Sequence, residues 1–184
     1  MVSVIAELGS NVFPFSEGRL LELVHAAWGA GATHVKVQLF RAEHFPSGER
    51  EAKRAVEFPR YKLGVFFAIA RDHGLVPGCS VFELADATWA VEAGAGFLKL
   101  ACREQKNYAL LGECTTFGLP VFRSVDVREF GGDDKVARQG TYDPEKGTFH
   151  PAALTLGCVP EYPVTSSYNI ARLLDFPKPY GWSS

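Results

Sequence analysis

The chain reads as an α/β protein of the TIM-type (β/α) barrel class, shortened to about seven recognisable strands and with one helix replaced by a β-hairpin. Three observations predict this. Strand-like apolar runs alternate with helical periodicity in units of roughly 20 to 30 residues, the pattern of parallel strand-helix repeats. Two strands carry a lysine within near-continuous hydrophobics, Lys36 in HVKVQLF and Lys99 in FLKLA, as suits strands covered on both faces that end at a site. Finally, no G-x-G-x-x-G follows the first strand and no G-x-x-x-x-G-K-[ST] occurs, so the nucleotide-binding open sheets lose support.

Composition sets the frame. The 184 residues are 47% hydrophobic and 22% charged with a net charge of −2, which suits one globular domain spanning 1–184. Nothing in this balance points to nucleic acid or a lipid surface. The apolar runs fall short of the ~20 residues of a membrane span, and MVSVIAELGS lacks the basic start and cleavage site of a signal peptide. A cytoplasmic location is expected. Cys79, Cys102, Cys114 and Cys158 are scattered without a C-x-x-C pair, against a disulfide framework or a structural zinc site. They are read as reduced thiols. Cys79, Cys102 and Cys158 fall near strand ends, as buried structural thiols or as ligands of a soft metal.

In chain order, VSVIAEL (2–8) makes strand 1, with Glu7, Gly9, Ser10 and Asn11 at its polar exit. Ser16 caps a helix over Glu17 to Trp28, in which Leu20, Val24, Ala27 and Trp28 recur at helical spacing, and Gly29 and Gly31 close it. Strand 2 runs from His34 to Phe40. Residues 41–60, charged and broken by Pro46, Gly48 and Pro59, read as a long loop of the kind that carries substrate contacts. A helix through Tyr61 to His73 follows. LVPGCSVF (75–82) makes strand 3 despite Pro77 and Gly78, and Leu84 to Ala93 a short helix. Strand 4 is Phe97 to Cys102, the next helix Tyr108 to Phe117, and strand 5 Leu119 to Val125 with Ser124 near its carboxyl end.

The pattern then changes. Gly131-Gly132-Asp133 and Asp143-Pro-Glu-Lys-Gly147 bracket an alternating segment, which predicts a β-hairpin where a helix is due. Strand 6 is Ala152 to Val159, Tyr162-Pro163 lies in a loop, a helix covers Tyr168 to Leu174, and a last short strand covers Pro179 to Ser183. An eight-stranded barrel typically needs ~250 residues, so this one is trimmed, incomplete or finished by a partner.

A lysine inside a strand is costly unless an anion meets it. Lys99 either pairs with a neighbour such as Glu104 or meets an anionic ligand. Lys36 repeats the pattern on another strand, with Gln38 on the same face by period two.

Several motifs, in order along the chain, resemble the sialic acid synthase (N-acetylneuraminate synthase) family. Ala6-Glu7-Leu8-Gly9-Ser10-Asn11 matches A-E-[IL]-G followed by Asn-His, and Gly31-Ala-Thr-His-Val-Lys-Val-Gln38 matches G-A-D-x-V-K-F-Q. Lys99-Leu-Ala-Cys-Arg-Glu-Gln-Lys-Asn107 meets K-I-x-S-G-E-x-x-N, and Leu119-Pro-Val-Phe-Arg-Ser-Val-Asp126 meets K-P-[VI]-I-L-S-T-G. Thr155-Leu-Gly-Cys158 with Tyr162-Pro163 aligns with L-L-H-C and its Tyr-Pro, and Gly181-Trp-Ser-Ser184 with G-[YFL]-S-D-H-T.

The resemblance implies a barrel that binds phosphoenolpyruvate at its strand ends and condenses it with an amino-sugar aldehyde in acidic carbohydrate biosynthesis. It implies Lys36, Gln38, Lys99, Asn107 and Ser124 as binders of substrate and phosphate, because a fixed ammonium and a hydroxyl complement phosphate. It places Glu104 near the reacting sugar and Glu7 at another acidic position of the site. Glu7 is equally suited to pairing with Lys36.

The departures are as informative. The family holds manganese or magnesium with two histidines, which polarise the sugar aldehyde through the metal. One of these is Gly157 here and the other would follow Ser184. No metal ligand is therefore assigned and no cofactor is expected. Asn-His has become Asn11-Val12, the strand 4 serine is Cys102, and no C-terminal antifreeze-like domain is expected. Of the five histidines, His25, His73 and His150 read as packing or surface residues and His34 sits at the wrong strand end. Only His44, in the loop after strand 2, is placed to reach a site.

Three readings result: a phosphoenolpyruvate-dependent synthase, with a small anionic or phosphorylated substrate; a non-catalytic anion-binding protein; or a structural subunit. An unfinished barrel edge favours association with other chains, so a homo-oligomer is expected.

Overall fold

The computed structural model describes residues 3–128, 141–143, 148–150, 153–160 and 181–183. The chain forms two compact units, Met1–Leu98 and Lys99–Ser184.

In the first unit, β1 (Ile5–Leu8), β2 (His34–Gln38) and β3 (Val76–Val81) lie side by side in that order, with the start of β4 (Phe97–Leu100) next. Pairing is parallel, with Glu7 opposite Lys36 and Lys36 opposite Gly78. Between β1 and β2 runs α1 (Glu17–Gly29), started by the Ser16 hydroxyl, which accepts the Arg19 amide at 3.0 Å. Leu20 and Val24 of α1 are buried, as are Phe66, Phe67 and Ala70 of α3 (Leu63–Asp72). These side chains join Val35 and Val37 of β2 as buried residues of this unit. The helix then stops at Gly29, and Gly31 turns the chain toward β2 with a φ of +83°, a region a side chain rarely adopts.

Residues 41–60 differ from the predicted loop. They contain α2 (Arg50–Arg54), preceded by single 3-10 turns over Ala42–His44 and Ser47–Glu49. The sequence REAKR is rich in good helix formers, and its lack of an apolar stripe, with no buried residue in the helix, hides it from a search for hydrophobic periodicity.

Strand 3 forms with Pro77 and Gly78 inside it, and the packing explains both. The Pro77 carbonyl accepts the Gly96 amide at 2.7 Å, and a Cβ on Gly78 would stand 2.5 Å from the Phe97 ring. Glycine here lets the ring lie against the strand backbone. After β3, α4 (Leu84–Glu92) buries Asp86, Ala87 and Ala90.

In the second unit, the end of β4 leads through a 3-10 turn, Cys102–Glu104, into α5 (Tyr108–Thr116), which the Asn107 side chain caps by accepting the Leu110 amide at 3.1 Å. The strand order continues with β5 (Val121–Asp126). The predicted hairpin is present: β6 (Thr141–Asp143) and β7 (Thr148–His150) pair antiparallel, with Thr141 opposite His150. The chain then returns to the parallel sheet in β8 (Ala153–Cys158), which pairs with β5, and β9 (Gly181–Ser183), which pairs with β8. Val125, near the end of β5, forms a small buried cluster with Val127 and Val159, which follow the ends of β5 and β8. The predicted Tyr162-Pro163 loop and the helix over Tyr168 to Leu174 lie outside the described residues. Among the described residues no helix is long and apolar enough to cross a membrane.

Candidate functional site

Each unit places one buried lysine on a parallel strand, and the two lysines are partnered differently. Lys36 is 5% exposed in the middle of β2. Its ammonium forms an ion pair with Glu7, its register partner on β1, and donates to the Ser80 hydroxyl on β3 at 3.0 Å. The Glu7 carboxylate is half open to solvent, its side chain 40% exposed. Of the two roles open to Glu7 in the sequence, the ion pair is the one the structure displays. Gln38 lies on the same strand, half-buried and opposite Ser80.

The same unit holds a charged network of which the sequence singles out only His44. Asp86, fully buried in the first turn of α4, forms an ion pair with Arg60, and the Arg60 guanidinium also stacks 5.1 Å from the Trp89 ring centroid. Burial pushes the Asp86 carboxyl above its ordinary value, and Arg60 opposes that rise. Glu83 gathers Arg41 at 2.9 Å and His44 at 3.4 Å. His44 is thus held by Glu83, and its Nδ1 lies 3.4 Å from the Arg41 amide, within a cap contact.

In the second unit Lys99 is 7% exposed at the third position of β4. Glu104 is not its partner. Glu104 lies 3.5 Å from Arg103 and accepts the Asn107 amide at 3.0 Å, so Asn107 both caps α5 and orients Glu104. Among the described residues the charged neighbours acting on Lys99 are the thiols of Cys158 and Cys102. Burial pushes the Lys99 ammonium below the ordinary lysine value, and those thiols draw it partly back.

Ser124, on β5, is 1% exposed, and its hydroxyl makes no hydrogen bond among the described residues. Such orphaned buried groups are uncommon and invite a ligand or water. Arg123, beside it in sequence, donates to the Gln105 carbonyl and lies 5.4 Å from the Tyr108 ring. At the end of β5, Asp126 receives its neighbour Arg128 at 2.7 Å and its own amide donates to the Gln105 Oε1 at 2.8 Å. Ser80, Gln105 and Asp126 are contributors that sequence reasoning passes over. A small polar residue inside VPGCSVF or FRSVD carries no periodic signal distinguishing it from a packed one.

Of the two positions where the resemblance implies metal-binding histidines, the one within this sequence supplies no ligand. Gly157 lies within β8, opposite Val125 and Trp182, and has no donor side chain. Among the described residues no three of His, Cys, Asp and Glu gather in a way that could hold a metal ion.

The NeuB family model matches residues 23–183. The chain belongs to the NeuB family. No curated protein matches it by sequence. Among solved structures, this NeuB-family chain is similar to the N-acetylneuraminic acid (sialic acid) synthetase of Leptospira borgpetersenii serovar Hardjo-bovis, a structure in complex with citrate, at 22% identity and TM-score 0.70 over 97% of this chain and 62% of that one. It is similar to spore coat polysaccharide biosynthesis protein E of Chromobacterium violaceum at 18% identity and TM-score 0.70, covering 89% of this chain and 51% of that one. The Bacillus subtilis protein spsE of the same description follows at 20% identity and TM-score 0.64, covering 88% of this chain and 45% of that one. This NeuB-family chain therefore spans less than two thirds of each of these structures, and its fold class is theirs, the TIM-type barrel.

Proposed function

We propose that this NeuB-family chain is a phosphoenolpyruvate-dependent sugar-acid synthase-like protein, condensing phosphoenolpyruvate with an amino-sugar aldehyde. Family membership supports the reaction class. The observation that carries the anion-binding part is in the second unit: Lys99, buried with no carboxylate partner among the described residues, and Ser124, with a buried unpaired hydroxyl. A fixed ammonium and hydroxyl, aimed without reorganisation at negative charge, stabilise a phosphate or carboxylate more than the same groups in water. In this reading Lys36, Gln38 and Asn107 also bind substrate, and Glu104 and Glu7 act on the reacting groups. Asn107 sets the orientation of Glu104, and Lys36 holds Glu7 in an ion pair. Self-association belongs to the same reading, because among the described residues β1 ends the strand order of its unit beside a half-exposed Val4.

A second reading is favoured by Gly157: an anion-binding protein without turnover, since the metal that the resemblance implies would find no side-chain ligand there. Two measurements separate the readings. Calorimetry with phosphoenolpyruvate and with phosphate should give binding that Lys99→Met and Ser124→Ala weaken at least tenfold. Phosphate release from phosphoenolpyruvate in the presence of N-acetylated amino sugars should then proceed only in the wild type. Binding without release selects the second reading. No binding at millimolar concentration removes both.

A further inference from the structure

The four cysteines sort into two kinds. Cys79 and Cys114 are fully buried, and burial pushes both thiols up, Cys114 to about 12. Such thiols are chemically quiet. Cys102 and Cys158 are brought together at the carboxyl ends of two strands, Cys102 opening the turn after β4 and Cys158 closing β8. The two thiols act on one another's titration, and the Lys99 ammonium acts on both.

One side chain ties the two segments. Gln105, in the turn that follows Cys102, places its Oε1 4.0 Å from the Cys102 sulfur and accepts the Asp126 amide at 2.8 Å. Asp126 is in turn the register partner of Cys158 across β5 and β8. The Arg123 guanidinium adds a second tie by donating to the Gln105 carbonyl. The sulfurs thus meet on a braced framework, and Cys102 is partly open to solvent.

We propose that Cys102 and Cys158 are a peroxide-oxidisable dithiol pair, a reversible disulfide site at the ends of β4 and β8 beside Lys99. The Cys158 thiolate attacks one oxygen of hydrogen peroxide. The O–O bond breaks, the departing hydroxide takes up the proton that the thiol released, and water and a Cys158 sulfenic acid result. The Cys102 sulfur then attacks the sulfenic sulfur. The S–O bond breaks, the Cys102 proton leaves with that oxygen as a second water, and the S–S bond forms. One peroxide is reduced and two thiols lose two electrons between them. The assignment of Cys158 as the attacking group follows from its surroundings. The Cys102 hydrogen bond lowers its pKa, burial opposes, and Lys99 adds to the lowering, leaving Cys158 at about 7 while Cys102 is pushed up.

The test uses the whole reduced protein, stoichiometric hydrogen peroxide, thiol titration after unfolding, and peptide mapping. Half of the four thiols should disappear, dithiothreitol should restore them, and the map should contain one cross-linked pair of peptides carrying Cys102 and Cys158. In Cys102→Ser the reaction should stop at a sulfenic acid on Cys158, captured by dimedone. Retention of all the thiols, a cross-link through Cys79 or Cys114, or loss that dithiothreitol does not reverse would overturn the proposal. The peptide map of the wild-type protein decides the matter even where a variant folds poorly.

Discussion

Lys36 and Glu7 stand directly opposite one another on neighbouring parallel strands and form an ion pair, while the Lys36 ammonium also donates to Ser80 at 3.0 Å. A buried ammonium with both an anion and a hydroxyl is satisfied within the protein, so removing it leaves costs behind. Lys36→Met should destabilise the protein by about 1–3 kcal/mol, the lower end reflecting a Glu7 carboxylate that solvent partly screens. Urea unfolding measures this. A variant as stable as the wild type would mean that the pair adds nothing net.

Lys99 gives the opposite expectation. Its ammonium is buried without a carboxylate partner among the described residues, and burial holds its pKa below the ordinary lysine value. A lysine with a depressed folded pKa binds fewer protons folded than unfolded. It therefore costs stability below that folded pKa, and the cost fades as pH rises toward the unfolded value of about 10.4. Lys99→Met should stabilise the protein at pH 7 by about 0.5–2 kcal/mol, as expected where a strained functional group is removed, and the gain should shrink toward pH 10. The same variant should lose phosphate binding. A Lys99→Met that is less stable at pH 7 would indicate a structural lysine.

Gly78 tests the packing of β3 against β4. Gly78→Ala places a methyl group 2.5 Å from the Phe97 ring, and overpacking of this kind typically costs about 1–3 kcal/mol. Phe97→Leu removes the clash at the expense of a smaller core side chain. The double variant should then be less destabilised than the two single effects added, a coupling that thermal or urea unfolding of the set reads directly. Strict additivity would show that the ring does not require the glycine.

How much of this is legible in the sequence depends on the kind of signal. β1 to β5 and the helices α1, α3, α4 and α5 announce themselves because burial of one face imposes a period, visible in Leu20 and Val24 or in the run from Phe97 to Leu100. The hairpin of β6 and β7 is legible from its turn residues. α2 is not, because a helix with no buried face leaves no stripe. At the site, the sequence singles out Lys36 and Lys99 as unusual occupants of strands and the resemblance adds Ser124, yet neither says which lysine is paired. That depends on Glu7 lying opposite Lys36 and on Glu104 turning to Arg103 and Asn107, facts of register and of local turn geometry. The sequence places Cys102 and Cys158 near strand ends, but the tie between their segments, through the parallel register of β5 and β8 and through Gln105, is invisible in spacing.

Asp126 makes the acid side of stability testable. Burial alone would raise its carboxyl, but Arg128 outweighs this with side-chain and backbone hydrogen bonds and holds it below the ordinary carboxylate value. The folded state therefore releases the proton more readily than the unfolded chain. The stabilisation is present above the unfolded value of about 4 and is lost as pH falls through the lower folded value. Arg128→Met leaves burial without its counterweight, so the Asp126 pKa should rise above that of an unfolded aspartate and the protein should lose about 1 kcal/mol at pH 7, a modest figure because Arg128 is partly solvent-exposed. Wild type and variant should converge in stability only once the pH has fallen below the depressed folded value of the wild type, where the carboxyl is protonated in both. Urea unfolding across that range, with the Asp126 titration followed by NMR, checks both halves. An unchanged Asp126 pKa in the variant would remove Arg128 as the cause.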